Sequence, residues 1–337
     1  MVAAVGWTRL ALAGVLSIAA TGCGGDAEQR TTAVPPYPPR AAEPGRAPVP
    51  EKEPAGRVVE VGDRPEGVVF DARSGLVAVG ISEPPQLVLL DREGAVRRRV
   101  PLTGAPRHLQ LAAPGGPVLV PSEPADALVE VFLPDGRTRV TPVGDQPHDA
   151  TAIGSRRFIA DEFSSTLSVV ENGRRVDGAI VDAQPGGVVA AGGQVAIVSV
   201  LAYTVELFDG RTLKRSGSRN AGLGPTHAVA DGELRLYITD TRGDAVIVYE
   251  TVPRLKWVGR INLPGSPYGI AVDERRARVW VTLTGRNEIV ELTAEDQPRR
   301  LRSLPTVRQP NTVAVDPATG RLFVSSRTDG TLQLVDP

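Results

Sequence analysis

Thirty-eight Lys and Arg against thirty-nine Asp and Glu in 337 residues leave a net charge of −1, which removes the whole-molecule attraction expected of a nucleic-acid-binding chain. A single cysteine excludes an intrachain disulfide and a thiolate metal site. With 41% hydrophobic and 23% charged residues, the composition is that of a soluble globular protein able to bury a sizeable core.

The chain opens with Arg9 ahead of an apolar run, Leu10 to Ala20, too short to span a bilayer and suited to a signal-peptide core. The run ends in Ala20-Thr21-Gly22-Cys23, which resembles the bacterial lipobox, whose cysteine receives a diacylglyceryl group and becomes the first residue of the mature chain. The expectation is a lipoprotein signal peptide over 1–22 and a protein exported and held by Cys23 on the extracytoplasmic side of the cell membrane. Two acyl chains anchor stably because each buried methylene adds about 0.8 kcal/mol. The alternative is an ordinary secretory signal with Cys23 as an incidental thiol. Residues 23–56 then carry Pro35, Pro36, Pro38, Pro39, Pro44, Pro48, Pro50 and Pro54. Such a stretch lacks the apolar residues for a core and favours polyproline II, so it is expected to be a disordered stalk.

From residue 57 one phrase returns seven times: a turn ending in proline, two residues, then an apolar run. The prolines are Pro65, Pro106, Pro147, Pro185, Pro225, Pro267 and Pro310, spaced 41, 41, 38, 40, 42 and 43 apart. After each proline come an apolar strand, a polar turn, two more alternating strands and an arginine-bearing fourth. Four short strands per forty residues predict one propeller blade per repeat. The last copy stops after its third strand, and Arg57-Val58-Val59-Glu60-Val61 occupies the fourth-strand position ahead of the first proline. The predicted fold is therefore all-β: a seven-bladed propeller of four-stranded antiparallel blades over 57–337, closed by an N-terminal strand that completes the last blade.

Pro267-Tyr268-Gly269-Ile270-Ala271-Val272-Asp273 and Pro310-Asn311-Thr312-Val313-Ala314-Val315-Asp316 resemble the repeat of the YVTN propellers, the group that includes the YncE-like proteins. The resemblance covers about 57–337 and implies the fold. It implies little about activity, since such propellers include surface proteins, lactonases, lyases and DNA binders.

In propellers of this type the proline turn and the loop between the second and third strands border the central channel on one face. All three histidines of the chain, His108, His148 and His227, fall in the slot just after the proline. Asp149 follows His148, and the same slot holds Glu66, Tyr268 and Asn311 in other blades. These seven residues are the candidate ligand site, and His108, His148 and His227 the candidates for catalysis. Imidazoles with a carboxylate suit a divalent metal ion, with His108, His148, Asp149 and His227 as candidate ligands, and a neutral imidazole can serve as a base. Loop acids Glu83, Glu123, Asp161, Glu162 and Asp240 would suit Ca²⁺ instead. Equally, histidines here can simply hydrogen-bond to a neighbouring blade. Arginines gather on the fourth strands (Arg97-Arg98-Arg99, Arg137, Arg139, Arg174-Arg175), where charge on an exposed edge blocks sheet-to-sheet association.

The expected function is a monomeric, lipid-anchored binding module of the cell envelope that engages a ligand or protein partner, not nucleic acid, at its channel face. A lactonase-like hydrolase or streptogramin-lyase-like enzyme using the channel histidines is the alternative.

Overall fold

The computed structural model describes residues 40–232 and 235–337. The signal peptide, Cys23 and the first part of the expected stalk lie outside the described residues.

Seven four-stranded antiparallel sheets follow one another in chain order. Blade one runs Asp63–Asp71, Leu76–Glu83, Pro85–Leu90 and Val96–Pro101, and the other blades repeat this order. In blade seven the fourth place is taken by Arg57–Glu60, which pairs antiparallel with Thr331–Val335 in the register Arg57 to Leu334 through Glu60 to Thr331. This joins the two ends of the propeller in one sheet and gives the last blade its fourth, outer strand.

The second and third strands are buried on both faces because each sheet lies between two neighbours. Their near-continuous apolar runs follow from that. Phe70 of blade one stacks on Phe323 of blade seven, ring centroids 5.4 Å apart, within a cluster that includes Val77, Val88, Leu90, Leu332 and Leu334. Trp280 is buried between blades six and seven, whereas Trp257, on the outer strand of blade five, is half exposed. Each fully buried Val or Leu contributes roughly 1.5–3 kcal/mol. The fourth strands are exposed, and many of their cations pair locally, as Arg97 does with Asp91 and Arg139 with Glu130.

Residues 40–56 differ from the free spacer expected there. They lie against the propeller: Arg40 meets Tyr203, Gly45 meets Ser266, Ala47 is buried against Gln309, and the Ala55 amide donates to the Pro305 carbonyl. The reason is chemical. An extended chain with few apolar side chains still offers backbone carbonyls and amides, and the loops of this face supply side-chain partners for them.

Candidate functional site

The turn proline shapes the site in two ways. In five blades the residue ahead of it adopts a left-handed backbone: Arg64, Gln146, Gln184, Ser266 and Gln309, with φ of 53°, 49°, 53°, 62° and 54°. Behind it the pairing of the first strand slips, between Pro65 and Val68, Pro147 and Asp149, Pro185 and Gly187, Pro225 and Ala228, Pro267 and Ile270, and Pro310 and Thr312. A bulge leaves a residue outside the ladder and re-aims its side chain. The residues released this way include Glu66, His148, His227, Tyr268 and Asn311. In blade two the first strand shrinks to Gln110–Leu111 and Pro106 makes only an isolated bridge to Ser122, which leaves His108 on irregular chain.

The three histidines and Tyr268 form one file of rings. His148 meets His108 edge-on at 4.7 Å between centroids, His108 meets His227 at 4.2 Å, and His227 meets Tyr268 edge-on at 4.4 Å. Tyr268 is buried and its phenol is held well above the ordinary tyrosine range by that burial.

The two ends of the file differ electrically. At one end His148 Nδ1 lies 2.8 Å from Glu162 Oε2 and 3.1 Å from Glu123 Oε1. Arg107 Nε reaches the same Glu123 oxygen at 3.1 Å, and Gln184 Nε2 donates to Glu162 Oε1 at 3.3 Å. Burial opposes charge on His148, but its hydrogen bonds to Glu123 and Glu162 outweigh it and carry the imidazole up to about 9. Glu123 is lowered despite its burial, by the His148 hydrogen bond and Arg107. His148 is therefore a cation at neutral pH.

At the other end Nε2 of His108 and Nε2 of His227 are 2.8 Å apart, so one must donate and the other accept. Burial lowers both rings, His227 strongly, with the neighbouring imidazoles adding to the effect, and the pair is neutral. Asp149 Oδ2 stands 4.0 Å from His108 Nδ1, a carboxylate that favours a proton on that nitrogen. His108 then accepts at Nε2, His227 donates, and His227 Nδ1 is left as a buried lone pair with no partner.

Asp149 is fixed by other bonds: it accepts from Gln110 Nε2 at 3.0 and 3.1 Å, from the Val188 amide at 3.0 Å and from the Ala150 amide at 2.8 Å. Glu66 pairs with Arg327 at 2.9 Å and accepts from Asn311 Nδ2 at 3.0 Å; burial raises its carboxyl even against the nearby Arg327 and Arg107. Of the loop acids, Asp161 is occupied by Gly144 N, Thr166 and Ser168, Asp240 by the Leu223, Gly224 and Gly243 amides, and Glu83 by Arg64 at the surface. Only Glu123 and Glu162 face the histidines. Glu123 does so because it begins the three-residue 3₁₀ turn Glu123–Ala125.

Glu123, His148 and Glu162 each offer a ligand atom within 4.8 Å of the others. Two carboxylates and an imidazole are a sound donor set for a divalent ion, once Nδ1 gives up its proton. The set joins His148 of the imidazole ligands expected from sequence to Glu123 and Glu162 of the loop acids that the sequence offered for Ca²⁺. Asp149 is tied to Gln110 and Val188, and His108 and His227 are tied to each other.

Space divides at the ring file. Above it a pocket of about 40 Å³ is enclosed by Arg107, His148, Glu162 and Tyr268, with Ala41, Ala42 and Glu43 as its roof. That volume holds one or two waters or an ion. Below it the channel widens to about 490 Å³ along the first strands and ends at the exposed Glu274 and Arg275 of blade six. Arg107 beside Pro106, and the roof itself, went unnoticed in the sequence. The position of Arg107 in the proline slot was an available signal; nothing in the composition of 41–43 marked a roof.

No protein-family profile and no curated protein matches the chain. Solved structures do. Streptogramin B lyase superposes with a TM-score of 0.70 over 82% of this chain and 96% of its own, at 12% identity. Hydrazine synthase of Kuenenia stuttgartiensis gives 0.71 over 83% and 97%, at 14% identity. A chain of the mitotic checkpoint complex gives 0.73 over 88% and 97%, at 11% identity. This chain shares the propeller fold with all three.

Proposed function

We propose that the protein is a binding module of the bacterial cell envelope, exported, anchored through a lipidated Cys23, and engaging its ligand or protein partner at the channel face. The observation that carries this reading is the convergence of Glu123 and Glu162 on one imidazole nitrogen of His148 beneath a roof of the chain's own residues. A polar pocket of about 40 Å³ is far below the 300–1,000 Å³ typical of a small-molecule site. It suits a proton or a metal ion that sets the loops around it, with larger partners met outside on the face. Propellers such as the one in the mitotic checkpoint complex work within assemblies, which agrees with an interaction role. The anchor reading rests on Ala20-Thr21-Gly22-Cys23.

One observation favours an enzyme instead. The bare Nδ1 of His227 is a lone pair able to take up a proton, the acidic set around His148 could hold a divalent ion for a hydrolase or lyase of the lactonase or streptogramin-lyase kind, and streptogramin B lyase shares the fold. Titration of Mn²⁺ or Zn²⁺ into the chelator-treated protein, read by metal analysis and melting temperature, separates the two when run beside assays of lactone opening and streptogramin B cleavage. A stoichiometric ion, lost in Glu162→Gln and unaccompanied by turnover, supports the binding module. Turnover abolished by His227→Ala replaces it with the enzyme.

A further inference from the structure

The roof of the pocket is one stretch of a longer contact. Residues 40–48 run across the loops of blades four to seven. Tyr203 Oη serves both backbone groups of Arg40, accepting from its amide and donating to its carbonyl at 3.0 Å each. Arg242 donates to the carbonyls of Arg40 and Ala41 at 2.9 and 3.1 Å. Ser266 Oγ accepts from the Gly45 amide at 2.8 Å. The Gln309 side-chain amide bridges two groups at once, donating to the Gly45 carbonyl and accepting from the Ala47 amide, both at 2.8 Å. Asn287 Nδ2 closes the series on the Pro48 carbonyl at 3.0 Å.

Every one of these bonds pairs a propeller side chain with the backbone of the segment. None reads a side chain of it. Burial adds little: Ala47 is buried, while Arg40, Glu43, Arg46, Pro48 and Val49 are exposed. Fit is demanded at one place, since a Cβ on Gly45 would stand 2.9 Å from Ser266 Cβ. Pro44, Pro48 and Pro50 hold the segment extended before it docks, which reduces the entropy lost on binding.

We infer that the channel face of blades four to seven is a binding track for extended, proline-containing polypeptide, recognised through its backbone around a required glycine, and that residues 40–48 are its occupant in cis. The partner class is an unfolded segment of another protein bearing Pro-Gly-x-x-Pro chemistry, which takes the track by displacing the tethered copy. The tethered segment competes at an effective concentration in the millimolar range, yet it is held without apolar anchors beyond Ala47. Segments with few buried contacts open at low cost. Displacement also unroofs the pocket around His148, which couples partner binding to access.

The test uses the full chain and a fluorescent peptide with the sequence of residues 40–50. Gly45→Val in the protein should release the tethered segment, seen as faster amide exchange over 40–48, and should raise affinity for the peptide at least tenfold over wild type. Gln309→Ala added to that variant should remove the gain. A peptide with its non-Gly, non-Pro residues other than Ala47 reordered should bind within about threefold, whereas one carrying valine for the glycine should not bind. Equal peptide binding by wild type and Gly45→Val, insensitivity to Gln309→Ala, or a segment that stays protected in Gly45→Val overturns the inference. Ion titration of the same variant is read separately, so the outcome at the track and the outcome at the pocket are distinguishable.

Discussion

His108 and His227 come from blades three positions apart in the ring and share one proton between nitrogens 2.8 Å apart. The carboxylate of Asp149, 4.0 Å from the far nitrogen of His108, decides which of them donates. A bond of this kind holds loops of distant blades together over the channel, and it is lost when both rings are protonated, because two imidazolium N–H groups would then face each other.

Removing one partner leaves the other's buried nitrogen unsatisfied. His108→Ala is expected to destabilise the domain by about 1–3 kcal/mol, measured as a lowered urea midpoint with unchanged slope. Nitrogen-15 spectra of the wild type should show His108 protonated at Nδ1 and His227 at Nε2. The opposite tautomers would refute the role given to Asp149.

Stability should fall on both sides of neutrality. His148 titrates at about 9 in the fold against an unfolded value near 6.5. Its contribution is therefore fully present below pH 6.5 and is lost as pH rises through 9. The difference corresponds to roughly 3 kcal/mol. His108 and His227 are lowered, so below pH 6.5 the unfolded chain takes up protons that the fold refuses, and stability drops again. Melting temperature against pH should peak near 6.5, fall as pH rises towards 9 and level off above it, and His148→Gln should flatten its alkaline side alone.

Closure of the ring has its own staple. The buried Gln333 side chain donates to the Ala55 and Pro305 carbonyls at 2.7 and 3.1 Å and accepts from the Val307 amide at 3.0 Å. Gln333→Leu keeps roughly the volume and strands the Ala55 carbonyl and the Val307 amide, while the Pro305 carbonyl keeps its bond from the Ala55 amide, so a loss on the order of 2 kcal/mol is expected. Protease cleavage near residue 56 should accelerate in this variant before the core strands are cut.

Cys23→Ser is expected to move the protein from the membrane to the soluble fraction or leave its leader uncleaved. Fractionation with an antibody to the propeller checks this, and unchanged membrane retention would contradict the lipid anchor.

The architecture was legible because it is written in short range. Seven prolines at a nearly constant period, strands of four to six apolar residues and the spare strand Arg57–Glu60 are local signals, and the period-two alternation of strands leaves little freedom once the count is known. The slot after each proline could be named as the place where side chains meet the channel. What occupies that slot was legible only as a set of residue types.

The rest depended on distances between blades. Whether His148 would bond to a neighbouring backbone or to Glu123 and Glu162 turns on the bulge after Pro147 and the 3₁₀ turn at Glu123, and neither has a sequence signature of its own. Residues 40–56 read as a free spacer because composition registers missing apolar side chains and is blind to backbone hydrogen bonds. Sequence by itself determined seven blades, their closure and the face on which chemistry is concentrated, since those follow from local periodicity. Tertiary structure alone decided which imidazole is charged, which pair is neutral and what lies across the mouth, because each of these is set by partners brought within 3 to 4 Å from blades far apart in the chain.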